Sequence, residues 1–362
     1  MTPALFPSSV ALRVVATSVI AFVVILGFAI SASAEPLTFI NYVNPPGQLT
    51  SQVYHADGTL YAATDTGLSI SKTGGANWVT KTMSNGMGSN VIRGVWASGS
   101  TIYAGSTQDG GSMPGGISIS TDGGNTWIYR TTANGLAGND VSAVYSSGGK
   151  IYASTNGGLS VSSNGGNTWT NYTTANGLGN DQTFGAYLFG EALYAATDGG
   201  LSISMDGGTS WSNKTDSGGL GSNTVWGVFV NSIGIYAATT NGLSVSGDGG
   251  NTWTNYTTEN GLGSNLVRGV FGYDSTIYAA TFGGLSVSSN GGANWTNYTT
   301  ANGLGSNGVI GVYADAEGIY AGCYNGGASI AVAPVPEPST YAMALAGLAC
   351  GGYSMWRRRK RA

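Results

Sequence analysis

The chain has 362 residues, of which 61 are glycine and only 8% are charged, against roughly 25% charged in an ordinary globular domain; by that measure alone it would be a low-complexity chain. Its 9 Trp, 20 Tyr and 9 Phe exclude that class, because so many aromatic rings need a core to bury them. Between Glu35 and Glu317, 7 basic residues face 16 acidic ones, a net charge of −9 that argues against nucleic acid or an anionic membrane as partner of the body.

Residues 1–34 read as a signal peptide. Arg13 is the one charge, an apolar run follows from Val14 to about Ile30, and Ala32-Ser33-Ala34 offers an A-x-A cleavage site. A retained membrane anchor is the alternative, which the small-residue exit disfavours. Cys323 is then the one cysteine of the mature body, since Cys350 lies in the tail. No internal disulfide can form, so stability must come from packing.

The body repeats. NYTTANGLG stands at 171–179 and 297–305, with NYTTENGLG at 255–263. Trp78, Trp127, Trp169, Trp211, Trp253 and Trp295 are spaced 49, 42, 42, 42 and 42. Tyr61, Tyr103, Tyr152, Tyr194, Tyr236, Tyr278 and Tyr320 are spaced 42, 49, 42, 42, 42 and 42, so one seven-residue insertion within Gly105–Gly115 explains both long gaps. A fixed period of this length signals a repeat architecture. One unit reads as four strands: LVRGVF (266–271), TIYAAT (276–281), GLSVSS (284–289) and NWTNYTT (294–300), separated by Asn-Gly, Gly-Gly and Asp-Ser turns. Four short antiparallel strands per repeat predict one blade of a β-propeller. Helical periodicity is absent from 36 to 333. The first three strands each occur seven times, the last GLS strand as GASIAV (327–332), and the Trp strand six times. TFINYV (38–43), whose Asn41-Tyr42 matches Asn171-Tyr172, supplies the missing fourth strand. The expected fold is all-β, a seven-bladed propeller over residues 35–333 whose last blade is closed by the N-terminal strand. An open solenoid ranks second, because it has no use for such a seam.

The stretch NGLGSNxVxGV…IYAATxxGLS resembles the propeller repeats of two-component sensor proteins. SxDGGNTW resembles the Asp-box of sialidase-type propellers; it is intact from Ser120 to Trp127 and recurs around Asp206 and Asp248, with Asn164, Asn290 and Thr73 in the Asp position of other blades. The resemblances imply a fold and leave function open. No kinase or signalling segment follows the body, so a sensor role is not carried over.

Most repeated residues read as scaffold. A short Asp or Asn side chain accepts hydrogen bonds from its own turn, the glycines allow positive φ, and the Trp packs on the neighbouring blade. A Ca²⁺ loop is the functional alternative, but one carboxylate per turn is too few. Asn171, Asn255 and Asn297 match the N-glycosylation pattern and are read as strand residues. His55, the only histidine, is expected in a solvated turn between strands one and two.

Residues specific to one blade are the candidates for function. One variable column lies in strand one: Ser51, Arg93, Ser142, Phe184, Trp226, Arg268 and Ile310, with Asp140 and Gln182 two residues ahead of it in their blades. A second follows the Tyr strand: Asp65, Thr107, Asn156, Asp198, Thr240, Phe282 and Tyr324. Propeller geometry puts both columns, and the insertion 107–115, on the face around the central channel. Arg93, Arg268, Trp226, Phe184, Asp65, Asp198, Asn156, Phe282 and Tyr324 are the candidate ligand-binding residues: aromatic faces stack on sugars, while Arg and Asp take carboxylates or hydroxyls. Drift at unconstrained positions, or channel packing for Phe184, Trp226 and Ile310, is the competing explanation. No catalytic set, metal site or cofactor is expected. Sialidase-like propellers use an arginine cluster with a Tyr/Glu pair and an Asp, whereas this body has only Arg93, Arg130 and Arg268, and Glu259 as the one Glu on that face. Asp65, Asp140, Asp181 and Asp198 could supply carboxylates for glycoside hydrolysis, with nothing to specify their separation.

The tail, residues 334–362, departs from the repeat. Pro336-Glu337-Pro338 precedes the apolar run Tyr341–Trp356, which is short of the ~20 residues that span a bilayer without strain. Arg357, Arg358, Arg359, Lys360 and Arg361 would stay cytoplasmic, leaving the body outside. A nuclear or nucleic-acid role for this cluster is the weaker alternative on an exported chain. In order and position these three parts resemble a PEP-CTERM sorting signal. The resemblance implies export in a Gram-negative, exopolysaccharide-making bacterium, recognition by an exosortase, transient anchoring, and delivery to the cell surface or matrix. The whole reads as a non-enzymatic surface or matrix propeller that binds polysaccharide or a surface protein. A secreted glycan hydrolase or lyase is the alternative, and a purely structural matrix protein the third reading.

Overall fold

The computed structural model describes residues 37–42, 49–108 and 114–332; the proposed signal peptide, the sorting tail and part of the 107–115 insertion lie outside them. The described residues form seven four-stranded antiparallel sheets. Blade 2 is representative: an inner strand Ile92–Ser98, then Thr101–Ser106, Gly116–Ser120 and an outer strand Ile128–Arg130. The inner strand of blade 1 (Thr50–Ala56) lies against those of blade 2 and blade 7 (Val309–Ala314), so the ring closes. The fourth strand of blade 7 is Ile40–Tyr42, paired antiparallel with Gly327–Val332 through Ile40–Ile330, Asn41–Ser329 and Tyr42–Ala328. The N-terminal strand thus closes the propeller as its Asn-Tyr pair predicts.

Outer strands are shorter than the sequence pattern suggests. Only Thr296–Tyr298 of NWTNYTT is strand, and Thr300–Asn302 turns into a single 3₁₀ turn. The chemistry of TTANG explains the turn. Thr299 donates its backbone N–H to Asn302 Oδ1, and Gly303 ends the turn at φ +93°, which an L side chain resists. The same device recurs at Thr131–Gly135, Thr173–Gly177 and Thr257–Gly261.

The core lies between blades. Leu68 and Ile70 of blade 1 pack with Ile92, Val95 and Ile102 of blade 2, and the GLS leucines Leu68, Leu159, Leu201, Leu243 and Leu285 are fully buried. Polar residues tie each blade to the link before it. Ser286 accepts from the Gly263 N–H and donates to Asn297 Oδ1, while Asn297 Nδ2 donates to the Gly261 carbonyl. Asn171, Asn213 and Asn255 do the same in their blades, which makes Asn171, Asn255 and Asn297 hydrogen-bonded strand residues. Cys323 is a free, buried thiol.

The Gly-Gly turns are held as their composition predicts. Asp248 accepts from the Asn251 and Thr252 N–H groups and the Thr252 hydroxyl, and from Ser246. These bonds favour the carboxylate and hold Asp206 and Asp248 at about 2, with Asp122 lower still. A depressed folded-state value adds stability above the ordinary carboxylate range and loses it as pH falls through the folded value. The melting temperature is therefore expected to drop between pH 4 and pH 2, beyond the drop set by general charge, and Asp248→Asn should flatten that step. Asn is a valid replacement because Asn164 already accepts from the Thr168 N–H in its own blade.

His55 is a correction. It is not in a solvated turn. It sits in the inner strand of blade 1, 6% exposed, with Nδ1 2.6 Å from Asp315 Oδ2 and its ring stacked on Tyr320 at 5.0 Å. The partner comes from the neighbouring hairpin of blade 7, and a contact spanning 260 residues leaves no local trace in the sequence.

Candidate functional site

The inner strand of every blade carries an irregularity in its pairing with the second strand. The register shifts between Thr50 and Gln52, Ile92 and Gly94, Val141 and Ala143, Thr183 and Gly185, Val225 and Gly227, Val267 and Gly269, and Val309 and Gly311. The residue left over each time is a member of the first variable column: Ser51, Arg93, Ser142, Phe184, Trp226, Arg268 or Ile310. A bulge frees one residue from the ladder and re-aims its side chain. All seven line one axial cavity of about 750 Å³.

These side chains organise each other. The Phe184 and Trp226 ring centroids are 4.3 Å apart, and the Arg268 guanidinium lies over the Trp226 face at 3.6 Å. That cation–π contact fixes the guanidinium without neutralising it. Burial lowers Arg268, and the positive charge of Arg93 lowers it further. Burial also lowers Arg93, with Asp65 and Asp140 opposing. No described carboxylate lies within ion-pair distance of either guanidinium.

The second column divides. Thr107, Phe282 and Tyr324 line the cavity, with Phe282 and Tyr324 exposed and their rings 6.2 Å apart. Asp65, Asn156 and Asp198 are not among its lining residues. Asp198 accepts the Thr224 hydroxyl, and Asn156 donates to Asp140, which also accepts from the Gln108 N–H. Asp181, a candidate carboxylate, accepts from the Thr174 N–H. Among the described residues no group of His, Cys, Asp and Glu is arranged to hold a metal ion.

A further ring was missed from sequence. Three residues after each bulged position stand Tyr54, Trp96, Tyr145, Tyr187, Phe229, Phe271 and Tyr313, all lining the same cavity. Their contacts run from blade to blade: Phe229–Phe271 at 5.1 Å, Phe271–Tyr313 at 4.8 Å, Tyr313–Tyr54 at 4.7 Å. Burial pushes the Tyr187 hydroxyl up to about 12. The signal was available, since the aromatic class persists at fixed spacing beside a column that varies.

Sequence comparisons match residues 115–223 to the DUF6242 beta propeller domain and residues 334–360 to the PEP-CTERM protein-sorting motif. No curated protein matches the chain. Among solved structures, the extracellular domain of BT3049 from B. thetaiotaomicron, described as a hybrid two-component system, is similar with a TM-score of 0.69 and 20% identity over 83% of this chain. The chain spans 42% of that protein's length. YCF48, solved bound to D1 peptide, gives 0.61 at 16% identity, covering 83% of this chain and 96% of that one. The Niastella koreensis GH74 enzyme gives 0.54 at 18% identity, covering 78% and 43%. At these identities the likeness establishes the fold alone. Among the described residues no helix is long and apolar enough to cross a membrane. A seven-bladed propeller joined to a PEP-CTERM protein-sorting motif makes this chain an exported surface protein.

Proposed function

We propose that the chain is a non-enzymatic binding protein of the cell surface or extracellular matrix, and that it holds an extracellular polymer through its axial mouth. The observation that carries this reading is the convergence of seven bulged residues on one cavity. The Tyr, the GLS-type strand and the Trp of the repeat are kept nearly constant, while these seven differ and line the cavity. On this reading residues 1–34 are removed on export. Pro336-Glu337-Pro338 and the segment after it are recognised by an exosortase-type enzyme, and Tyr341–Trp356 anchors the chain until then. Residues 35–333 make the propeller. Hydrolysis is disfavoured because Asp140 and Asp198 are engaged by the protein's own loops. The test is co-sedimentation of the protein with exopolysaccharide from its source organism, following release of reducing ends in the same tubes. Saturable retention without release is expected, with an affinity loss of tenfold or more in Arg93→Ala/Arg268→Ala. Release of reducing ends would transfer the mouth to catalysis. Unchanged retention by the double variant would remove it from binding.

A further inference from the structure

We propose that the axial mouth recognises an acidic sugar, with the carboxylate of a uronic-acid residue held between Arg93 and Arg268 and the sugar ring against Phe282 and Tyr324. This rests on the binding reading above and names its ligand class. The charge distribution is the first argument. A body with a net charge of −9 places two of its seven cations in one half-buried cavity, where they repel each other and have no ion-pair partner among the described residues. Another of its arginines, Arg130, is tied down on an outer strand by the Gly166 carbonyl. Two partly desolvated guanidiniums are unfavourable in the free protein, and a bound anion relieves both their desolvation and their repulsion.

Geometry is the second argument. Arg268 is held flat against Trp226, so little side-chain freedom is lost when its edge meets a carboxylate. The two exposed rings of Phe282 and Tyr324 come from adjacent blades of the same rim and offer apolar faces to a sugar. Ser51, Thr107 and Ser142 supply hydroxyls at the lining, suited to a ligand rich in hydroxyls. A peptide C-terminus would use the same arginines but bring no hydroxyls to Ser51, Thr107 and Ser142, so the observations favour the sugar.

The experiment is calorimetric titration of the full chain in detergent with hexameric oligogalacturonate and oligomannuronate. Each is compared with its carboxyl-reduced, neutral counterpart and with a hexapeptide bearing a free C-terminal carboxylate. At least one uronate should bind ten times or more tightly than its neutral form. Affinity should fall by a further tenfold or more in Arg93→Gln and in Arg268→Gln, and stay unchanged in Arg130→Gln. Arg268→Lys, which keeps the charge, should retain part of it. Thermal melts separate binding from folding: each variant trades a favourable contact for relief of the repulsion, so the melting temperature of the free protein should stay close to that of the intact chain. Equal affinity for charged and neutral oligomers overturns the inference, as does arginine-independent binding, or arginine-dependent binding of the peptide alone. If no uronate binds while the extracted polymer is still retained, the acidic-sugar inference falls and the binding mouth stands. If neither is retained, both fall.

Discussion

A chain lacking residues 37–42 is expected to lose its cooperative unfolding and to aggregate. The segment has six residues, three of them the strand Ile40–Tyr42, yet it touches three blades. Phe39 is 3% exposed, edge-on to Tyr298 at 5.9 Å, and donates its backbone N–H to the Asn302 carbonyl on the blade 6 side. Asn41 accepts from Ser329 within blade 7, and Tyr42 packs with Val53, Leu60 and Tyr320 at the blade 7–blade 1 junction. Truncating a buried Phe to Ala alone costs about 3–5 kcal/mol, against a total margin of about 5–15 kcal/mol. The loss would also leave the edge of Gly327–Val332 unpaired, and an open apolar edge pairs with other chains. Sedimentation velocity should show aggregates that the intact chain does not form, and the thermal transition should broaden or vanish. Moving residues 37–42 to follow Val332, through a connection like that between Ser288 and Thr296, should restore the behaviour of the intact chain, because the strand order within blade 7 would then match the other six. A deletion that melts like the intact chain would refute the seam.

The second large effect distinguishes glycines that occupy the same repeat position. Each follows the bulge of its inner strand, where neighbouring inner strands approach backbone to backbone. A Cβ on Gly94 would come within 2.8 Å of Ala143 Cα and 3.0 Å of the Val144 amide nitrogen, atoms that cannot swing aside. A Cβ on Gly227 meets nothing nearer than 3.7 Å. Gly94→Ala is therefore expected to destabilise by roughly 3 kcal/mol, about 5 °C in a domain of this size. Gly227→Ala should be neutral or stabilising by a few tenths of a kcal/mol through the unfolded chain. Neither glycine has a positive φ, so the contrast isolates packing from backbone strain. Equal melting temperatures for the two variants would contradict the close approach.

The blade count and the seam were legible because the period survives drift: the seven spaced Tyr count the blades, the six spaced Trp fall one short, and Asn41-Tyr42 marks the strand out of place. The cavity was legible as a column of disagreement. Its cause was not, since a bulge is a property of pairing, and nothing about Ser51 or Ile310 as residue types signals one. Asp65, Asn156 and Asp198 share the column with Phe282 and Tyr324 but not the lining, and Asn156 and Asp198 bond to neighbouring loops. His55 failed for a related reason. Its partner Asp315 belongs to the opposite end of the chain, and only ring closure makes them neighbours. The aromatic collar is not legible as part of the cavity, because constancy from blade to blade is also what a scaffold position shows.

Hydrogen exchange with and without extracted exopolysaccharide is the most direct measurement of the central claim. Protection is predicted on one face only: at the starts of the inner strands around Arg93, Phe184, Trp226 and Arg268, and in the loops at Phe282 and Tyr324. The opposite hairpins, at Asp57-Gly58 and Asp315–Glu317, should exchange as before. Protection of those hairpins or of the outer strands instead, or no protection by a polymer that the protein retains, would contradict an axial binding mouth.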